Sequence, residues 1–502
     1  MTLYMDFLDP KKERRNHIAL LISYVLVAVA ITIASVVLLY QTDGYCLDNS
    51  GAVDRCGLVF LSSQPAGSAI HVNGKIAAGR TNTKLNLHSG TYNIELTQAG
   101  YRNWSRTVIV AGNDVQRFDY PFLFPTTLKT TKLASFTDGL TIATQSPDKR
   151  WLLTADNSHP GVFRLYDFKD PAKPVTTDET LPTSLYTPGD GAQTWSVAEW
   201  SSDNRHVLLL HTYIVAGVAG HEYIMLDRQA IETSQDVTKI LSVKPTDQLS
   251  LFDKKPDKFY VYNTESKTLQ TVGIDGSAPT ALQLKDVLAF KTYSDNTILY
   301  VTGTPPSGKV TPGMVSVILQ QDNRSQVIRE LPSNAPGYLL EIAQYSGDWY
   351  VAIAATDGKG VQVYKNPFDQ PLATSASLPT PIRFLKVVNP TYVAFSANTR
   401  FLLAENAQSC AVYDAEYDNS YLYKTVLLDT PQTHVNWMDG DRLYGINGGK
   451  AVVADYDAQN PQTLQAADPR FELFFSADYK YVFSVAPAKT GEDITSTSLL
   501  AQ

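Results

Sequence analysis

Eight histidines, three cysteines and scattered carboxylates are the side chains of this sequence suited to ligating a metal or moving a proton. Their spacing argues against most such chemistry. His206 and His211 lie five apart in the strand-like run HVLLLHTY and so point to opposite faces, which defeats a shared metal site. His221 and Glu222 form an isolated dipeptide. Asp414, Glu416 and Asp418 alternate as Ca²⁺ ligands do, but lack the glycine and the distant glutamate of a helix–loop–helix calcium site, so they read as a solvated loop between strands. No Gly-x-Ser-x-Gly elbow exposes a nucleophile, and no glycine-rich phosphate loop follows a strand and opens a helix. The cysteine spacing fits no zinc site. Cys46 and Cys56 can instead close a small disulfide loop around Asn49-Ser50-Gly51, leaving Cys410 as a buried thiol in the run SCAVYD. No catalytic, cofactor-binding or metal-binding residue is therefore assigned, and no cofactor is expected. The positive hint is aromatic. Trp104, Trp151, Trp195, Trp200, Trp349 and Trp437 accompany 28 tyrosines, enough to stack on glycans or peptides if exposed, or to fill a core if not.

The elements that would position these groups begin with a membrane segment. His17 to Tyr40 reads HIALLISYVLVAVAITIASVVLLY without an ionised Asp, Glu, Lys or Arg. As a helix its 24 residues extend about 36 Å, enough for a hydrocarbon core of roughly 30 Å. It is longer than the apolar core of a cleaved signal, and its exit LLYQTDGYC offers no small-x-small site; Asp43, Gly44 and Tyr45 do not make Cys46 a lipoprotein cysteine. Lys11, Lys12, Arg14 and Arg15 crowd the N-terminal flank, whereas Gln41, Thr42 and Asp43 begin the other. The reading is a signal-anchor with residues 1–16 cytoplasmic, 17–40 in the lipid bilayer and everything beyond extracytoplasmic at the cell membrane.

Residues 41–56 form a juxtamembrane linker, and 57–125 carry short strands with sharp turns. Pro65-Ala66-Gly67-Ser68 turns the chain, Asn73-Gly74 suits the left-handed backbone of a type I′ hairpin, and Tyr92, Ile94 and Leu96 share a strand face. This layout resembles the PEGA domain, a small β-sandwich of bacterial and archaeal surface proteins. The matching residues are Pro65 and Gly67, Val72-Asn73-Gly74, Gly79, Thr81, Gly90-Thr91-Tyr92 and Gly100-Tyr101. Ala66 and Ser68 depart from the tetrapeptide that names the family. The resemblance implies an extracytoplasmic adhesive or spacer module and no catalysis.

From residue 126 to 502 one pattern recurs. A turn of the form Ser-x-Asp-x-Arg or a close relative leads into an apolar strand, then into a second strand that often ends in Tyr or Asp. Ser146–Arg150, Ser201–Arg205, Lys255–Lys258, Ser294–Asn296, Ser346–Asp348, Ser396–Arg400, Asp439–Arg442 and Ser476–Lys480 give eight turns roughly 40–55 residues apart. That is the period of a four-stranded propeller blade. The turns resemble those of TolB-like and prolyl-oligopeptidase-type (PD40) β-propellers, and a strand near Thr126–Ser135 would close a ring of seven or eight blades. Asp190 to Trp195 approaches a sialidase-type Asp-box but is misphased, and reads as a loop before a strand. The fold expected is all-β: one transmembrane helix, a PEGA-like sandwich, then the propeller.

The net charge of −8 argues against a nucleic-acid partner, which usually calls for a basic surface. The expectation is a membrane-anchored binding or scaffold protein of the cell envelope, not an enzyme, with the propeller recognising a protein or glycan. The competing expectations are a propeller-face glycosidase or lyase built from loop carboxylates, which requires those carboxylates to cluster at one mouth of the ring, and a TolB-like subunit of an envelope complex.

Overall fold

The computed structural model describes residues 10–42, 45–47 and 53–501, apart from residues 157, 192, 278–281, 295–296, 307, 309, 323, 371–377, 425–426 and 428–433. The side chains of Lys11, Lys12, Arg14, Arg15 and Cys46 also lie outside the described residues, as does most of the Ser294–Asn296 turn. The chain divides into two compact units, Met1–Thr126 and Thr127–Gln502.

The first unit opens with one helix, α1 (Pro10–Thr42). Within it, His17–Tyr40 reaches a mean hydropathy of 2.7 with none of its surface buried by protein, so by length and composition it can cross a membrane. Strands β1 (Tyr45–Leu47), β2 (Val53–Leu61), β3 (Ala69–Val72), β4 (Lys75–Arg80), β5 (Thr83–His88), β6 (Gly90–Thr97), β7 (Trp104–Val110) and β8 (Val115–Phe118) follow. They form two four-stranded sheets. β2 is central in one, flanked by β5 and by both β1 and β8; the other runs β4-β3-β6-β7. Period-two alternation sends Val59, Leu61, Ile94, Leu96, Trp104 and Val108 into the shared core. Asn73 and Gly74 both take positive φ, as a type I′ hairpin requires. Ser68, where the family tetrapeptide has Ala, is fully buried, and its hydroxyl donates to Gln98 Oε1 at 3.0 Å, so the departure brings its own hydrogen bond. Cys56 is disulfide-bonded. Cys410 is free and buried.

The second unit is a ring of eight four-stranded antiparallel sheets among the described residues, spanning 140–180, 194–236, 247–284, 287–332, 338–385, 392–424, 436–466 and 474–498. They are called blades 1 to 8 here. The last has only three strands of its own; β9 (Lys129–Phe136) supplies the fourth and joins the two ends of the chain. Hydrophobic clusters bridge neighbouring blades: Leu153, Phe163, Trp195 and Val207 join blades 1 and 2, and Leu152, Tyr166, Phe483 and Ile494 join blades 8 and 1. Buried on both faces, the middle strands read as continuous apolar runs, not alternating ones. Thr297–Thr302 is buried at every residue. Gly491 turns the hairpin beside β9 at a φ of +69°, where a Cβ would stand 1.8 Å from the Phe136 carbonyl oxygen. Gly491→Ala is expected to destabilise the ring by about 2–3 kcal/mol, read as a lowered urea midpoint.

The recurring turn is explained by its hydrogen bonds. Ser146 Oγ donates to Asp148 Oδ1 and accepts from the Trp151 amide at 3.0 Å, while the Arg150 amide donates to the same carboxylate at 3.0 Å. Ser396 and Asn398, and Ser476 and Asp478, repeat this arrangement. The fourth residue is left-handed each time: Lys149, Asn204, Thr399 and Tyr479. The arginine then reaches the Asp that ends the third strand through Nε and one terminal guanidinium nitrogen. Arg150 meets Asp167 at 2.8 and 2.7 Å, Arg400 meets Asp414 at 2.9 and 2.7 Å, and Arg205 meets Asp227. Asp414 is thus fully buried, not solvated as its sequence neighbourhood suggests. Within the turn it begins, Glu416 also pairs with Arg400, and Asp418 pairs with Arg383.

Candidate functional site at one mouth of the propeller

The tryptophans do not make the site. Trp104, Trp195 and Trp200 are buried in cores, and Trp151, Trp349 and Trp437 are half-buried between strands. Nor do the predicted histidines. His206 is held by Asp203 and lies near Asp227. His211, fully buried, meets Glu222 Oε1 at 2.9 Å through Nδ1 and stacks on Trp195 at 4.1 Å. The Glu222 carboxylate also accepts from the Thr187 amide and hydroxyl. Burial pushes its carboxyl up, but these bonds outweigh that and hold it below its ordinary range. This pair fastens the entry loop of blade 2 to its hairpin, an arrangement hidden from sequence because the partners sit eleven residues apart on facing strands. Asp190 caps the same hairpin by accepting from the Ala216 amide at 2.8 Å. Among the described residues no three of His, Cys, Asp and Glu stand close enough to share a metal ion.

Carboxylates do gather at one mouth of the ring, where the inner strands begin. Tyr392 opens the inner strand of blade 6, directly across from Glu405, which ends the second strand. His434 and Val435 precede the inner strand of blade 7, and Glu472 precedes that of blade 8. Glu341 stands midway along the inner strand of blade 5, 2.8 Å from Lys291 on blade 4. Glu405 is buried; it lies 2.6 Å from His434 Nδ1 and accepts the Val435 amide at 3.0 Å. The His434 ring stacks on Tyr392 at 4.4 Å and 12°. Tyr392 lies in the field of Glu472, Glu341 and Glu405, which adds to burial in pushing its hydroxyl pKa up. Burial raises the carboxyls of Glu341, Glu405 and Glu472 as well, although Glu472 itself is open to solvent within the mouth. Beside them is a cavity of about 250 Å³ lined by Tyr392, His434, Tyr444, Phe471, Arg470 and Glu472 among others. Arg470 is engaged by Asp468 at 2.7 Å and by Glu492.

At the opposite rim the Ser-x-Asp turns converge. Lys149 lies 3.9 Å above the Tyr479 ring and 3.5 Å from the Met438 carbonyl, and burial lowers its ammonium to about 8. Asp441 is raised by burial to about 6. These groups brace blades 7, 8 and 1 against one another.

A sequence comparison decides the identity of the first unit. Residues 56–123 match the PEGA domain. The PEGA match begins at the disulfide-bonded Cys56 and ends within the last buried aromatic run, Phe122 to Phe124. No curated protein sequence matches the chain. Among solved structures, the chain is similar to an oligogalacturonate lyase from Vibrio parahaemolyticus, with 11% identity, a TM-score of 0.36 and coverage of 74% of this chain and 97% of that one. It is also similar to Hsv2p from Kluyveromyces lactis, with 10% identity, a TM-score of 0.37 and coverage of 66% and 100%. The dihydro-heme d1 dehydrogenase NirN gives 14%, 0.38, and coverage of 65% and 66%. These likenesses are to β-propellers at low identity and carry no functional argument. The PEGA domain and the propeller are the identified parts of the protein.

Proposed function

We propose that this protein is a single-pass membrane protein of the cell envelope whose propeller binds a cationic segment of a partner protein at the Glu341–Glu405–Glu472 mouth. The placement of Glu341, Glu405 and Glu472 around the stacked Tyr392 and His434 rings carries this reading. Carboxylates and aromatic faces together suit an ammonium or guanidinium group on a flexible stem. They suit a neutral glycan less well. The apolar helix and the PEGA domain support the address, with the basic N-terminal flank in the cytoplasm and the propeller outside.

The test is binding of the full chain, in detergent micelles, to lysine-rich, arginine-rich, acidic and neutral peptides and to neutral oligosaccharides. Saturable binding of the basic peptides alone, weakened by Glu472→Gln, supports the reading. Equal binding of acidic peptides would discard it. Glu405 also supports a second reading. A carboxylate 2.6 Å from Nδ1 orients an imidazole so that Nε2 can act as a base, as a lyase requires. That reading predicts turnover of acidic oligosaccharides that His434→Gln abolishes.

A further inference from the structure

The strands on the membrane side of the PEGA domain carry an outward face that its own fold does not cover. In the β1-β2-β5-β8 sheet, Val59, Leu61 and Phe118 point into the core, so their neighbours point out. Register sets Phe60 beside Lys84 on β5 and Arg117 on β8, and Leu58 beside Asn86 and Val115. Arg117 lies over the Phe60 ring at 4.6 Å. Lys84 and Arg117 are exposed, and Val115 is 49% exposed. Among the described residues of this side, Asp119 is at the far end and accepts from the Ser62 hydroxyl. Across residues 57–125 there are six Lys or Arg against three Asp or Glu, in a protein whose net charge is −8.

The chain holds this sheet close to the end of the helix. Only two residues of sequence separate α1 from β1, a reach of about 10 Å. Tyr40 at the helix end contacts the Tyr45 ring at 5.3 Å, and Arg55 covers Tyr45 from β2. Leu58 and Phe60 follow Arg55 by three and five residues, roughly 10 and 17 Å along the strand. Resting on the anchored reading of α1, we infer that this face of the PEGA domain lies on the membrane surface, with Val115, Leu58 and Phe60 at the headgroup boundary and Lys84 and Arg117 on the phosphates of anionic lipids. Apolar side chains bordered by cations are the composition of an interfacial surface.

A spin label at Val115→Cys in the full chain tests this, with Ile109→Cys on the opposite sheet, 72% exposed, as the reference. A third label at Val29→Cys reports insertion of α1. The chain is reconstituted in phosphatidylcholine vesicles with and without one part in three of phosphatidylglycerol, and each label is probed with oxygen and with a water-soluble nickel chelate. The inference expects the position-115 label to lose several-fold of its nickel accessibility in the anionic vesicles while the position-109 label stays aqueous, and expects Lys84→Glu with Arg117→Glu to restore it. An inserted α1 with positions 115 and 109 equally aqueous would overturn the docking alone. Shielding of position 115 from both reagents, independent of lipid charge, would assign the face to protein contact and also overturn it. An aqueous label at position 29 would remove the anchor and the docking together.

Discussion

Replacing Arg400 with alanine is expected to cost the propeller about 3–5 kcal/mol, among the largest single-residue effects in the chain. Arg400 has 15% of its side chain exposed, and its partner Asp414 has none. Truncation removes both guanidinium bonds and leaves a carboxylate buried with only the amides of Glu416 and Tyr417 as donors, at 2.9 and 3.4 Å. A buried charge stripped of its partner costs far more than the pair contributes net. Arg400→Lys keeps the charge but not the planar fork, and is expected to cost about 1–2 kcal/mol. Urea unfolding of the full chain, followed by circular dichroism, measures both. Equal midpoints for wild type and Arg400→Ala would show that the amide donors alone satisfy Asp414. The same exchange at the more exposed Arg150–Asp167 pair is expected to cost less, because water replaces the lost partner.

Glu472→Lys is expected to weaken binding of a basic peptide about 30-fold. The substitution removes one attraction and adds one repulsion, each about 1 kcal/mol for charges about 4 Å apart in a water-like dielectric. The loss should shrink in high salt, because Glu472 is reached by solvent. Protonation supplies an independent check. The carboxyls of Glu341 and Glu405 are raised by burial above the ordinary 4.5. Between that value and their folded values they hold protons that the unfolded chain would release. The stability this gives is complete below 4.5 and is lost as pH rises through the folded values. A bound cation favours the ionised forms, so peptide affinity is expected to rise with pH across the same window. Calorimetric titration at several pH values should therefore find protons released on binding. Affinity that falls as pH rises through this window would argue for a protonated carboxyl as the recognising group, and so against a cationic ligand.

Much of the architecture was legible because local chemistry dictates it. An unbroken apolar run from His17 to Tyr40 has no other helical use than one with an apolar environment on every side. Asn73-Gly74 is read as a hairpin because few residue pairs tolerate two consecutive positive φ angles, and the structure shows both. The turns were visible because those at Ser146, Ser396 and Ser476 repeat the same short hydrogen-bond circuit, a serine hydroxyl and an Asp or Asn side chain closing on backbone amides within five residues, and the others keep parts of the same residue pattern. What the turn's arginine was for could not be read, because its carboxylate waits at the end of a different strand, 14 to 22 residues onward.

The mouth of the propeller was legible only as a condition, that carboxylates would have to cluster there. Glu341, Glu405 and Glu472 are spread over 132 positions and share no motif. They come within range of Tyr392 because radial closure brings the inner strand of blade 5, the end of the second strand of blade 6 and the entry to blade 8 around one opening. His434 acquires its role from Glu405, twenty-nine residues away, and the stacked tyrosine from the blade before its own. By itself the sequence determined the helix, the PEGA turns and the repeat, since each depends on contacts within a few residues. The tertiary structure decided between seven and eight blades and set the composition of the mouth, since these depend on long-range register and on which side chains the ring leaves facing its axis.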